Sequence, residues 1–506
     1  MCARLIPTLI RTLAWALAFI SLGLGSLLWY RIRSRWGLVL WPLKMLAGPL
    51  AAFTAVGGGL GALLGGAAGA GCAAAAGAAG AALSLAYLWR VTRCTRAMAS
   101  PALAGVPARR ASGRGAPGRA RTRARPRWER DVPFWSVAGR SQPLLCDIWR
   151  PPEGVPNSGL ALVYFHSSSW HLADKDVWTR PLFRRLAGQG HVVMDVGYRL
   201  CPEVDLRGML GDAQRAIAWM KANAARYGAD PARVVAMGAS AGGQLALLAA
   251  YAPQHPALTP PDLAGADTSV CGAVSYYGVA DMGAFSARAE ALLPGSEVLS
   301  RWAQPWLLWL VERAGRLVPG RPIAGQAWKL AGMSYTGMME SLLGGLPERV
   351  PLMCALASPI AHVGPLCPPT LLVHGEHDTA VPADATRALY DRLVAAGVPA
   401  SLVILPQTDH IFDLLLPQVS PPARVAWAHL DRFLAGLAQP PNTAVAQAAM
   451  TQDMLSGRPP ERRPSFPTKP RRRPSRCSKP PTQGRTACPA CYGFFVASPL
   501  SSSWPL

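Results

Sequence analysis

The feature that most constrains this 506-residue chain is a pentapeptide, Gly238-Ala239-Ser240-Ala241-Gly242, wedged between two runs of different character. Before it lies Arg233-Val234-Val235-Ala236-Met237, an apolar run of strand length. After it comes Gly243-Gln244-Leu245-Ala246-Leu247-Leu248-Ala249-Ala250, a stretch of strong helix formers. A strand that turns directly into a helix needs a very tight backbone, and Gly238 and Gly242 permit one. Ser240 then stands at the top of a sheet as a candidate nucleophile.

The surrounding chain repeats the alternation. Leu144 to Trp149, Leu160 to Phe165, His191 to Tyr198, Val270 to Val279, Thr370 to His374 and Ser401 to Leu405 read as strands. Asp174 to Leu186, Leu206 to Tyr227, Ala383 to Ala396 and Pro422 to Leu437 read as helices. Continuous apolar strands between amphipathic helices imply a doubly wound, mostly parallel sheet of the α/β class. The globular composition runs from about 131 to 439. Within it, 282–357 breaks the alternation and reads as a helical cap insertion. Its crowded Trp302, Trp306, Trp309 and Trp328 suit the packed face of cap helices or an apolar wall.

Several motifs then occur in a fixed order: His166-Ser167-Ser168-Ser169-Trp170, Tyr198 to Glu203, the pentapeptide, His374-Gly375-Glu376-His377-Asp378, and Asp409-His410. Over roughly 135–438 this order resembles the carboxylesterase/lipase branch of the α/β-hydrolases, the branch that includes hormone-sensitive-lipase-like enzymes. With its apolar amino-terminal block, the chain is most similar to bacterial membrane-anchored Lip-type esterases. The resemblance implies an α/β-hydrolase fold, a serine mechanism on carboxylic esters, and no cofactor or metal.

A serine hydroxyl is a weak nucleophile until a base takes its proton and a carboxylate orients that base. In this fold the order is Ser, then Asp/Glu, then His, which Ser240, Asp378 and His410 satisfy. Glu376 and Asp409 compete for the acid, and His374 and His377 for the base. Glu376 has less loop with which to reach the sheet edge, Asp409 is adjacent to His410, and both histidines precede the acid. The oxyanion needs backbone N–H donors. Ala241 supplies one, and the family's Gly-rich loop implies Ser168 and Ser169 for the others. Serine replaces glycine there, which costs more wherever φ is positive. Two other enzyme readings share this turn, a prenylcysteine methylesterase and a formamidase-like amidase. A catalytically inactive scaffold is the reading from a different class.

The net charge of +23 sits outside the folded region. Residues 1–130 carry +17 and 440–506 carry +8, leaving 131–439 at −2. A nucleic-acid-binding domain would carry its charge on the folded unit, so nucleic acid is not an expected partner. Residues 1–99 contain uncharged stretches, Thr12 to Tyr30 and Met45 to Leu88, long enough for two or three membrane spans with a tight turn near Gly65-Gly66. Arg31, Arg33, Arg35 and Lys44 lie between them, and Arg90, Arg93 and Arg96 follow. With three spans both clusters fall on one side, which the positive-inside rule makes cytoplasmic, along with the folded domain. Membrane lipids and a small-molecule or lipid ester are the expected partners. Because Ser240, Asp378 and His410 all follow residue 99, the apolar region reads as an anchor whose removal leaves activity intact. Residues 100–130 read as a basic disordered linker and 440–506 as a disordered, Pro-rich tail. Cys146, Cys201, Cys271, Cys354 and Cys367 sit among apolar neighbours as small hydrophobes. Cys488 and Cys491 lack the partners of a zinc site.

Overall fold

The structure is a computed structural model that describes residues 2–94, 98–99, 125–292, 313 and 334–438. The expected tail, Cys488 and Cys491, most of the linker, and Trp302, Trp306, Trp309 and Trp328 lie outside these residues.

Three long helices open the chain: α1 (Cys2–Trp29), α2 (Trp41–Ala67) and α3 (Gly71–Thr92). All three are long and apolar enough to cross a membrane. The turn between α2 and α3 falls at residues 68–70 rather than at Gly65-Gly66, with Gly69 at φ 64°. Gly65 is instead inside α2, where a Cβ would lie 2.7 Å from the Ala74 nitrogen across the helix contact. At Gly80 a Cβ would lie 2.5 Å from the backbone of Ser21 and Leu22. Glycine there lets α3 and α1 approach backbone to backbone. The large side chains point outward: Leu9, Phe19, Phe53, Val56 and Leu63 are exposed, while Ala14, Ala18, Ala47 and Ala51 are buried. Small residues inside and bulky apolar ones outside is the packing suited to lipid surroundings.

The folded domain is a nine-stranded sheet. In chain order its strands are β1 (Met98–Ala99), β2 (Arg127–Trp135), β3 (Leu144–Arg150), β4 (Gly159–Phe165), β5 (Val192–Val196), β6 (Ala229–Ala239), β7 (Gly272–Tyr276), β8 (Thr370–Gly375) and β9 (Ala400–Leu405). Their spatial order is β1-β9-β8-β7-β6-β4-β5-β3-β2. The six from β5 to β9 across the centre are parallel, and β3, β2 and β1 are antiparallel edges. The helices cover both faces: α4 (Arg180–Gly188), α5 (Leu206–Tyr227), α6 (Ala241–Tyr251), α10 (Ala383–Ala395) and α11 (Pro421–Leu437). Within 282–357 the described helices are α7 (Met282–Leu292), α8 (Tyr335–Leu343) and α9 (Pro351–Leu356).

Two boundaries differ from expectation. Strand β2 begins at Arg127, inside the stretch read as linker, and β1, Met98–Ala99, lies in the stretch read as membrane region yet pairs with β9. Residues 174–179 are turns rather than the start of a helix, with Asp176 at φ 69° and Trp178 at φ 57°. The five central cysteines are free thiols. Burial pushes Cys201 up to about 12 and Cys271 up to about 11, as inert small hydrophobes require.

Candidate active site

The site is assembled where parallel strands end. Strand β6 stops at Ala239 and α6 starts at Ala241, so Ser240 makes the whole turn, at φ 54° and ψ −123°. That conformation is strained for a serine and is held from both sides. Ser240 N–H donates to the Tyr276 carbonyl at 2.9 Å. A Cβ at Gly238 would lie 2.2 Å from the Gly242 oxygen, and one at Gly242 would lie 2.1 Å from the Phe165 oxygen. Both flanking glycines are therefore sterically required.

The loop after β8 brings in Asp378, and the loop after β9 brings in His410. His410 Nε2 lies 3.0 Å from Ser240 Oγ, and His410 Nδ1 lies 2.8 Å from Asp378 Oδ2. All three are buried. The other carboxylate oxygen, Asp378 Oδ1, accepts from the N–H groups of Ala380 and Val381 at 2.9 and 2.8 Å. Burial would raise the Asp378 pKa, but His410 and His374 together hold it well below the usual carboxylate range. Burial likewise lowers the His410 pKa, and the Asp378 carboxylate more than offsets this, so the net direction is upward.

The rival residues have other engagements. Glu376 accepts from the backbone and side-chain nitrogens of Gln407. His374 contacts the same Asp378 oxygen as His410, with Nε2 at 3.2 Å from Oδ2, and its Nδ1 lies 2.8 Å from Thr386 Oγ1. Burial lowers His377 to about 4, and its buried Nδ1 meets no partner among the described residues. Asp409 accepts from the His410 backbone N–H at 2.7 Å and from Thr379.

The Ser-rich loop follows β4. Ser169 is at φ 47° and Trp170 at φ 63°, whereas Ser168 is not at positive φ. Thus one of the two serines, not both, holds a glycine-like conformation. The Ser168 hydroxyl is an internal brace: it accepts from Trp170 N–H at 3.0 Å and from Tyr198 Oη at 2.8 Å. Among the described residues neither Ser168 N–H nor Ser169 N–H meets a protein acceptor, and Ala241 N–H opens α6. Trp170 Nε1 donates to Gln244 Oε1, and Gln244 Nε2 donates to the Ala357 carbonyl, so α6 links the loop to the end of α9.

Several neighbours of the site had no role assigned from the sequence. The Tyr277 ring lies 4.5 Å from that of His410 and its hydroxyl bonds Asp413. Burial lifts the Asp413 carboxyl to about 6. Tyr277 directly follows β7, the strand beside the turn, and that position was a usable signal. His171 joins the Ser169 carbonyl to Ser341 Oγ on α8. No periodic pattern marks that link.

The sheet order, the turn after β6 and the loops after β8 and β9 define an α/β-hydrolase. The chain is similar to carboxylesterase-type, hormone-sensitive-lipase-like members of that superfamily. The BD-FAE family model matches residues 146–305 and 326–393. The chain is 32% identical over 272 residues to the probable carboxylic ester hydrolase LipM of Mycobacterium tuberculosis, covering 53% of each. It is 31% identical over 286 residues to the esterase LipQ of the same organism, covering 56% of this chain and 57% of LipQ. The chain thus spans about half the length of the curated relatives it matches. Among solved structures, esterase B from Lactobacillus rhamnosis aligns at TM-score 0.44 and 21% identity, over 66% of this chain and 90% of that one. Esterase 2 of Thermogutta terrifontis aligns at TM-score 0.42 and 22% identity, over 64% of this chain and 96% of that one.

Proposed function

We propose that this protein is a membrane-anchored serine hydrolase of carboxylic esters, acting through an acyl-enzyme. The observation that carries the reading is the hydrogen-bonded chain Ser240–His410–Asp378 at the mouth of the parallel sheet. His410 takes the Ser240 proton as the oxygen attacks the ester carbonyl, then returns it to the leaving alcohol. Asp378 keeps the Nδ1–H tautomer and stabilises the imidazolium. Ala241, Ser168 and Ser169 supply N–H groups to the oxyanion. Water activated by His410 then releases the acid. Relatives named as esterases support a carboxylic ester as substrate, and the chemistry needs no cofactor.

The three apolar helices serve as membrane spans, with 131–439 on the cytoplasmic side. Supporting this, the carboxyl ends of α1 and α3 and the amino end of α2 all meet the folded domain, so an odd number of crossings leaves it on one side. Arg31, Arg33, Lys44, Arg90 and Arg93 gather at those same ends.

The test is Ser240→Ala. Hydrolysis of short p-nitrophenyl esters should fall by at least ~10³-fold, as for triad members generally, while the fold persists. Turnover near that of the unmodified chain would contradict the assignment, and an unmodified chain inert towards every ester would favour the scaffold reading.

A further inference from the structure

The carboxylate of Asp409 is almost fully buried, yet it does not orient the neighbouring imidazole. Its Oδ1 accepts from His410 N–H at 2.7 Å and from Thr379 N–H at 2.9 Å. Its Oδ2 accepts from Thr379 Oγ1 at 2.8 Å. Thr379 is the residue after Asp378, so this one carboxylate ties the loop carrying the acid to the loop carrying the base. The remaining partners come from α2, more than 360 positions earlier in the chain: Trp41 Nε1 donates to Oδ1 at 3.2 Å, and Lys44 Nζ lies 3.3 Å from Oδ2. Side-chain exposure is 2% for Lys44 and 4% for Asp409. Lys44 also donates to the Tyr30 carbonyl at 2.6 Å, where α1 ends. Next to this pair, Tyr87 of α3 bonds Thr408.

We propose that Asp409 is a positioning residue for both Asp378 and His410, and that Lys44 and Trp41 of α2 hold it in place. The helical region is then a working part of the site rather than a detachable anchor. The inference rests on the serine-hydrolase reading above. It reverses the expectation that residues 1–99 are dispensable.

The seam is a joint and not an entrance. The cavity between the helices and the His410 loop, lined by Leu28, Lys44, Gly48, Tyr87 and His410, measures about 20 Å³. That is room for roughly one water molecule and far too little for an ester. A buried carboxylate also needs a compensating charge, since an isolated one is costly in a dry interior. Lys44 is that compensating charge, and its loss would free Asp409 to turn towards water and release both loops.

The experiment uses the full chain in detergent or vesicles, with folding checked by thermal midpoint. Lys44→Met and Asp409→Asn should lower kcat by up to about 10²-fold, the cost of a misplacement of about 1 Å, with KM little changed. Labelling by a fluorophosphonate should slow in parallel. Lys44→Arg, which restores the charge, should recover most of the rate. Cys94→Ala, which removes a hydrogen bond between the helical region and the Ile404 carbonyl elsewhere in the joint, should leave it intact. If Lys44→Met does not fold, Trp41→Phe carries the same comparison with a smaller expected loss. Folded Lys44→Met or Trp41→Phe with unmodified kcat and labelling rate overturns the proposal. So does a loss shared equally by Lys44→Arg and Cys94→Ala, which would mark general loosening. An unmodified chain that takes no label defeats the serine-hydrolase reading instead, so the two failures are distinct.

Discussion

At the scale of single residues, the site turns on which conformations and charges the surroundings enforce. His410 works as a base only when neutral, and its pKa is raised above the ordinary 6.5. Activity should therefore rise with pH through a midpoint above 6.5, measured as the acid limb of kcat/KM. Asp378 stays ionised across that range and contributes no second acid limb. A midpoint below 6.5 would show that Asp378 does not hold the imidazolium. Ser169 gives a second test. At φ 47° it pays for a left-handed backbone that glycine adopts freely, of order 1–3 kcal/mol. Ser169→Gly should raise the thermal midpoint with kcat maintained or increased. Ser168→Gly should do the reverse, because it removes the hydroxyl that braces Tyr198 and Trp170. Equal responses at the two positions would contradict the different conformations seen here.

At the scale of elements, much of the sheet was legible. The run 160–165 is β4, the run 370–374 lies within β8, and Leu206 to Tyr227 is α5 throughout. Each is a long, strongly patterned segment bounded by turn residues. Strand β2 was missed because its charges, Arg127, Glu129, Arg130 and Asp131, and its Pro133 obscure the apolar alternation. An edge strand tolerates all of these. Residues 174–179 look helical by composition, but Asp176 N–H is claimed by the Asp195 carboxylate and the Asp176 side chain by Arg180. The order of Ser240, Asp378 and His410 was readable because chain order mirrors strand order. The bond between Lys44 and Asp409 was not, because nothing in local period links positions on separate units of the sequence. Helix packing makes its own prediction. Gly80→Val would push a side chain into the backbone of α1, where even a Cβ lies 2.5 Å from Ser21 and Leu22. Such overpacking typically costs about 1–3 kcal/mol. The thermal midpoint in detergent should fall clearly, whereas Gly59→Val, which faces open space, should not lower it comparably.

At the scale of the whole molecule, the charge distribution and the fold agree on one arrangement. A near-neutral domain of α/β-hydrolase fold sits against three apolar helices, and Arg31, Arg33, Lys44, Arg90 and Arg93 lie at the helix ends that adjoin it. If that junction is cytoplasmic, single cysteines placed on the exposed surface of 131–439 should react with membrane-impermeant maleimide only after cells are opened. Labelling of intact cells would reverse the orientation. The central claim, that Ser240 forms the acyl-enzyme, has a more direct test. The full chain is treated with a fluorophosphonate in its membrane or detergent form, digested, and the adduct located by mass spectrometry. The account predicts one adduct, on the peptide containing Ser240, absent from Ser240→Ala and suppressed by His410→Ala. An adduct on another residue, or none on a folded chain that still hydrolyses esters, would contradict it.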